Sequence, residues 1–260
     1  MIQKIESVQN ESVKRACKLA VSAKERQAEN AFFLEGARLC CDAALSGALV
    51  LQCFVTEFAL HKDRDRLQVL LEKAQSACFI SDAVAKKLSQ TQTTQGVFCV
   101  CAMKQDKMSI DPNGLYLALD HIQDPSNLGA MIRTSEALGL NGAVLCGCCD
   151  VYNPKAQRAS MGSLLRMPFV ETDDLASFLK EQMKNGLHVL ATTPDVSAQK
   201  LTDLSLSGGV IAVIGNEGNG VSQDVLSICE KVTIPMNGRA ESLNASMAAA
   251  ITMWELVRSR

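Results

Sequence analysis

No apolar run in these 260 residues approaches the roughly 18 needed to cross a bilayer. Residues Met1 to Asn10 lack the apolar stretch of a secretory signal. Both absences lead to the expectation of a soluble, cytoplasmic protein without membrane partners. Histidine is scarce, and the three present (His61, His121, His188) are far apart in sequence. The 11 cysteines are odd in number and scattered, which argues against a disulfide framework. Only Cys146-Gly147-Cys148-Cys149 has the look of a metal half-site, and no second Cys or His pair follows at finger spacing. No metal is expected, and the cysteines read as small apolar residues of a reducing compartment. A basic excess is missing too: the net charge is −2, whereas nucleic-acid binders are often basic overall. There is no internal repeat and no low-complexity tract.

Charge distribution says more than its sum. Lys14, Arg15, Lys18, Lys24 and Arg26 fall close together, and Lys155, Arg158 and Arg166 share a segment with no acid until Glu171. Either group alone reads as solvated surface. The apolar fraction of 47% is enough for a sizeable core, and the length suits one large domain or two ordinary ones.

Patterning favours two domains. Residues 1–104 read as a small α/β unit: a polar basic helix over 12–30, helices at 37–45, 65–74 and 83–88, and strands at 49–57, 77–80 and 96–102. Residues 105–114, with charges, Pro112 and Gly114, read as a linker. Residues 115–260 alternate more regularly. Strands are expected at 115–119, 143–146, 169–170, 188–192, 210–214 and 231–234. Helices are expected at 127–138, 160–165, 175–184, 222–229 and 243–258. Near-continuous apolar strands alternating with helices indicate a parallel sheet covered on both faces.

Ligands of open parallel sheets bind beyond the carboxyl ends of the strands. Three unusual polar turns follow apolar runs in this half: Asp120 to Gly129 with Arg133 after it, Gly215-Asn-Glu-Gly-Asn-Gly220, and Ile234-Pro-Met-Asn-Gly-Arg-Ala-Glu-Ser-Leu-Asn-Ala-Ser-Met247. Short polar side chains at Ser242, Asn244 and Ser246 suit a helix start, where backbone N–H groups lack partners. The glycine order is G-x-x-G-x-G, not the dinucleotide G-x-G-x-x-G, and no Lys-Ser or Lys-Thr follows as in a phosphate loop. A nucleotide-dependent oxidoreductase is therefore disfavoured.

Taken together and in order, these turns resemble the three motifs of the SpoU (TrmH-like) RNA ribose methyltransferases of the SPOUT class. The matching stretches are Asp124-Pro-Ser-Asn-Leu-Gly-Ala-Met-Ile-Arg-Thr, Ile214-Gly-Asn-Glu-Gly-Asn-Gly-Val-Ser, and Ile234-Pro-Met with Glu241-Ser-Leu-Asn-Ala-Ser-Met. Tyr152-Asn-Pro-Lys-Ala-Gln-Arg also looks like the family. More loosely, Phe33-Leu-Glu-Gly-Ala-Arg and Thr94-Gln-Gly-Val resemble its substrate-binding domain.

The resemblance implies a small α/β RNA-binding domain followed by a parallel-sheet catalytic domain whose C-terminal chain forms a trefoil knot. It implies S-adenosylmethionine as methyl donor, a ribose 2′-hydroxyl as acceptor, and a homodimer packed through the knotted domain. By position it assigns Asn127, Arg133, Glu217, Ser242 and Asn244 to catalysis, and Thr192, Gly215, Asn216, Ile234, Met236 and Leu243 to the cofactor. Lys14, Arg15, Lys18, Arg26, Lys155 and Arg158 are the expected RNA contacts. The family's arginine has been cast as a general base. A guanidinium holds its proton firmly, so Arg133 reads better as a phosphate clamp and hydroxyl orienter, with Glu217 fixing it or a neighbouring amide. Ribosomal RNA is the expected substrate; a tRNA substrate and a catalytically silent RNA-binding protein are the alternatives.

Overall fold

The computed structural model describes residues 3–104, 108–205 and 207–258. Positions 105–107 of the expected linker therefore lie outside the described residues. The chain forms two compact units, Met1–Gln105 with Tyr152–Leu165, and Asp106–Val151 with Arg166–Arg260. No helix among the described residues is long and apolar enough to cross a membrane.

The first unit runs β1 (Gln3–Ile5), α1 (Glu11–Val21), α2 (Ala23–Glu29), β2 (Ala31–Glu35), α3 (Ala37–Leu45), β3 (Val50–Thr56), α4 (Glu57–Lys62), α5 (Arg64–Lys73), β4 (Ala77–Ile80), α6 (Asp82–Leu88) and β5 (Val97–Ala102). Its sheet has the order β1-β4-β3-β5-β2. β1, β4 and β3 run parallel, while β5 is antiparallel to β3 and β2. Val13, Ala16 and Leu19 of α1 and Val84 and Leu88 of α6 pack on Phe33, Phe54 and Phe98 of the strands.

Two expectations fail here for local reasons. The helix expected over 12–30 breaks at Ser22, whose extended backbone (φ −117°) lets its hydroxyl accept from the Glu25 amide and start α2. Phe32 and Phe33, with no element expected around them, lie in β2, an apolar strand too short for periodicity to reveal.

The second unit contains β6 (Leu115–Asp120), α7 (Pro125–Ala137) and β7 (Gly142–Cys146). α8 (Pro154–Ser160) follows and belongs to the first unit, where the Tyr152 ring lies 4.4 Å from that of Phe32. The chain continues through α9 (Ser163–Arg166), β8 (Phe169–Thr172), α10 (Leu175–Lys184), β9 (His188–Thr192), β10 (Gln199–Lys200), a 3-10 turn at Leu201–Asp203, β11 (Val210–Gly215), α11 (Gln223–Leu226), β12 (Glu230–Thr233) and α12 (Ala245–Arg258). The single helix expected over 160–165 is replaced by α8 and α9. Met161 (φ 50°) and Gly162 (φ 90°) both adopt left-handed backbone and separate them.

The second sheet has the order β10-β12-β9-β11-β6-β7-β8, and every strand pair is parallel. Asp120 pairs in register with Gly215 on one side and with Cys146 on the other, so three strand ends are level. Leu175 and Leu179 of α10 and Val225 of α11 cover one face over Tyr116, Val144, Ile211 and Val213. α7 and α12 pack together, with α12 also on β11 and α7 also on β7. The sheet is thus covered on both faces, as its unbroken apolar strands require. On α12, Ala249 is completely buried, so the helix comes as close as a methyl side chain allows. Replacing Ala249 with Leu should overpack this contact and lower stability by about 1–3 kcal/mol. A urea midpoint equal to that of the wild type would contradict the close packing.

Candidate functional site

All three polar turns leave the carboxyl edge of the second sheet. The first begins at Asp120, a residue 1% exposed. Asp120 Oδ2 accepts from the Ser222 amide at 2.8 Å and Oδ1 lies 2.6 Å from His121 Nδ1. Asp124 then caps α7 by accepting from the Ser126 amide, with Pro125 in the first helical turn where no N–H is needed.

The second turn closes on itself. Asn216 and Gly220 exchange backbone hydrogen bonds of 2.9 and 3.0 Å. Asn216 Oδ1 accepts from the Gly218 and Asn219 amides, and its Nδ2 donates to the His121 carbonyl at 2.7 Å. A Cβ on Gly215 would stand 2.1 Å from Gly220 and Val221 backbone atoms. The glycine is thus required by the loop's own closure, in addition to any ligand. In the third turn Asn244 Oδ1 accepts from the Ser246 and Met247 amides and the Ser246 hydroxyl, which starts α12.

One side chain ties the three together. Asn127, 9% exposed on the first turn of α7, donates Nδ2–H to Glu217 Oε1 at 3.0 Å. Its Oδ1 accepts from Asn244 Nδ2 at 3.2 Å. Glu217 also accepts from the Gln123 and Asp124 amides, at 3.2 and 3.1 Å. Burial alone pushes the Glu217 carboxyl up, but the bonds from Asn127 and the backbone amides outweigh it and hold the group below its usual range. Glu217 is therefore a strut between loops, and a poor proton acceptor.

Beside this chain lies a cavity of about 470 Å³. The expected cofactor residues Thr192, Gly215, Asn216, Ile234, Met236 and Leu243 all line it, as do Glu217 and Ser242. Thr193 and Leu226 also line it, and nothing in their sequence context sets them apart from core residues. Among the described residues, 235–243 make no hydrogen bond to the rest of the protein. Of these, Met236, Glu241, Ser242 and Leu243 face the cavity.

Other expected residues lie apart from this chain of contacts. Arg133 is exposed on α7 and makes no ion pair among the described residues. Glu136, one turn on, is instead bonded through both carboxylate oxygens to Arg166. The expected Glu217–Arg133 link is absent, because the carboxylate is occupied by Asn127 and the amides; the alternative of a neighbouring amide is what occurs.

In the first unit Lys14 and Lys18 are exposed on α1, and Lys155 and Arg158 on α8. Arg15 pairs with Glu29 at 2.5 Å. Arg26, expected among the RNA contacts, is 2% exposed and donates to the Leu19 carbonyl. It braces α2 against the end of α1 and is not offered at the surface. Cys149 has burial as the main cause of a thiol pKa pushed up to about 11, with Glu217, Asp150 and Asp124 adding to it, so it stays protonated. Among the described residues no group of three His, Cys, Asp or Glu side chains could hold a metal ion. In the sequence Asp120 opens the first polar turn but receives no role of its own there.

Comparison with known proteins places the chain in a family. The profile of the SpoU rRNA methylase family matches residues 114–254, and that of the MRM3-like substrate binding domain matches residues 10–99. A Bacillus subtilis protein, 23S rRNA (guanosine(2553)-2′-O)-methyltransferase RlmP, is 34% identical over 257 residues, 98% of this chain and 99% of that protein. The AdoMet-bound rRNA methyltransferase of Sinorhizobium meliloti superposes with a TM-score of 0.88 at 25% identity, covering 99% of this chain and 98% of that one. The methyltransferase AviRb of Streptomyces viridochromogenes, in complex with AdoMet, gives 0.86 at 25% identity, covering 97% and 98%. The chain belongs to the SpoU rRNA methylase family.

The depressed carboxyl of Glu217 has a sign that can be checked. Its stabilising contribution is complete above the ordinary carboxylate range and is lost as pH falls through the lowered value. Glu217→Gln should therefore melt below the wild type at neutral pH, and the gap should narrow in acid. A gap that stays constant or widens in acid would contradict the assignment.

Proposed function

We propose that this family member transfers a methyl group from S-adenosylmethionine to a ribose 2′-hydroxyl of large-subunit ribosomal RNA. The observation that carries the reading is the Glu217–Asn127–Asn244 chain, which joins the three motif loops beside one cavity. The RlmP relative, a 23S rRNA 2′-O-methyltransferase by name that aligns over almost the whole chain, supports ribosomal RNA over tRNA.

The cavity suits the donor. Its volume falls within the roughly 300–1,000 Å³ of ordinary ligand sites. Ile234, Met236 and Leu243 would hold an aromatic base on an apolar wall, and the free backbone groups of 235–243 would bond its polar edge. Thr192 already donates its hydroxyl to the Val213 carbonyl, so its oxygen remains as an acceptor. S-adenosylmethionine supplies a sulfonium-activated methyl carbon. The protein's part is alignment, the largest contribution available to a displacement of this kind. Asn127 and Asn244 hold the loops at fixed separation, and Ser242 offers an exposed hydroxyl at the cavity wall. Arg133, left free by the Glu136–Arg166 pair, would clamp an RNA phosphate and orient the ribose hydroxyl. Lys14, Lys18, Lys155 and Arg158 supply local positive charge for RNA despite the acidic total.

The knot implied by family resemblance belongs to the same reading. Packing of α12 on α7, on β11 and on the turn Leu201–Asp203 is compatible with a threaded C-terminal segment. So does the homodimer. α12 exposes Met247, Ile251 and Trp254, spaced to form one apolar stripe that a second copy would cover.

Three outcomes are expected. S-adenosylmethionine or its demethylated product should raise the melting temperature while NAD does not; the reverse result would remove the donor assignment. Arg133→Ala should keep that thermal response yet lose transfer to 23S rRNA by about a hundredfold or more, measured with tritiated donor. Unchanged turnover would refute its role, and preferential labelling of tRNA would move the substrate. Trp254→Glu should give a monomer by light scattering, whereas a dimer of undiminished affinity would exclude this face.

A further inference from the structure

His121 stands outside every role assigned so far, yet its geometry is unusual. Its backbone is left-handed (φ 59°), one of three described non-glycine residues with positive φ. L-residues adopt that conformation at a cost, and a surrounding structure must hold them there. Two contacts do so. His121 Nδ1 lies 2.6 Å from Oδ1 of the buried Asp120, whose other oxygen holds the Ser222 amide. Gly147 makes room for the ring, since a Cβ there would sit 2.5 Å from His121 Cδ2.

The His121 carbonyl is used as well. It accepts from Asn216 Nδ2 at 2.7 Å and from Gln123 Nε2 at 3.2 Å. Asn216 in turn holds the Gly218 and Asn219 amides, on either side of which the loop carries Glu217 and Gly220. His121 does not line the cavity, and its ring nitrogen bonds to Asp120 and not to Glu217, Asn127 or Asn244, but the loop that presents Glu217 and Asn216 is tied to its backbone carbonyl.

We infer that the Asp120–His121 pair is a positioning device for methyl transfer. The ring's bond to Asp120 holds a left-handed backbone, and that backbone fixes the glycine loop through Asn216. The role in transfer rests on the proposed methyltransferase reading; the tether itself does not.

The test is a cycle of His121→Ala, Asn216→Ala and the double variant, with His121→Asn as the conservative control. Asparagine adopts left-handed backbone more readily than alanine. Hydrogen exchange of the Gly218 and Asn219 amides reads the tether, and single-turnover transfer at saturating S-adenosylmethionine reads its consequence. His121→Ala should speed that exchange and slow transfer about tenfold or more. Asn216→Ala should do the same, the double variant should match the worse single within about twofold, and His121→Asn should recover most of the loss. The inference is overturned by wild-type exchange or wild-type transfer in His121→Ala, by losses that multiply in the double variant, or by His121→Asn as impaired as His121→Ala. A wild-type protein that transfers no methyl group would sink the functional reading alone, because the exchange comparison still decides the tether.

Discussion

The site depends on the amide of Asn127. An amide is donor at one end and acceptor at the other, and both ends are used: Nδ2 toward Glu217 and Oδ1 toward Asn244. No carboxylate, hydrocarbon or cationic side chain of similar length can serve both partners without leaving one unsatisfied. Because Asn127 is nearly buried on the first turn of α7, its position is set by helix packing and not by solvent. The relative placement of the glycine loop and the start of α12 follows from it.

Around that amide the local chemistry agrees at each step. Parallel pairing brings the ends of β6, β7 and β11 to one edge, so the loops that follow emerge together. Gly215 permits the tight return to Gly220, Asn216 staples the loop's amides, and Glu217 is left to face α7. Across the cavity, 235–243 make none of the loop's usual internal bonds among the described residues. One side of the site is thus preorganised by side chains, and under the proposed reading the backbone of the other side would meet the donor.

Much of this was legible in the sequence, for physical reasons. The strands of the second unit are buried on both faces and read as unbroken apolar runs. The three turns carry residue types that helix starts and tight loops demand, and their order matched a family. What escaped reading depends on contacts distant in sequence. β2 is short and apolar and carries no period of its own. The break at Ser22 turns on one side-chain cap within a helix-like pattern. Arg26 counts as a surface cation in any charge tally, yet it folds inward onto the Leu19 carbonyl. The sequence leaves Glu217 a choice between Arg133 and a neighbouring amide, and tertiary geometry decides it: Glu217 takes Asn127 and two backbone amides, and Glu136 takes Arg166. His121 reads as a stray histidine in the sequence, because its left-handed backbone and buried partner are products of the fold.

The central claim is that three loops joined through Asn127 enclose the methyl donor. A crystal structure of the protein with S-adenosylhomocysteine tests it most directly. The account predicts the ligand between Gly215 and Leu243, with the backbone of 235–243 bonded to it and the Glu217–Asn127–Asn244 contacts intact. A ligand seated elsewhere, or a cavity left empty at saturating concentration, would contradict it.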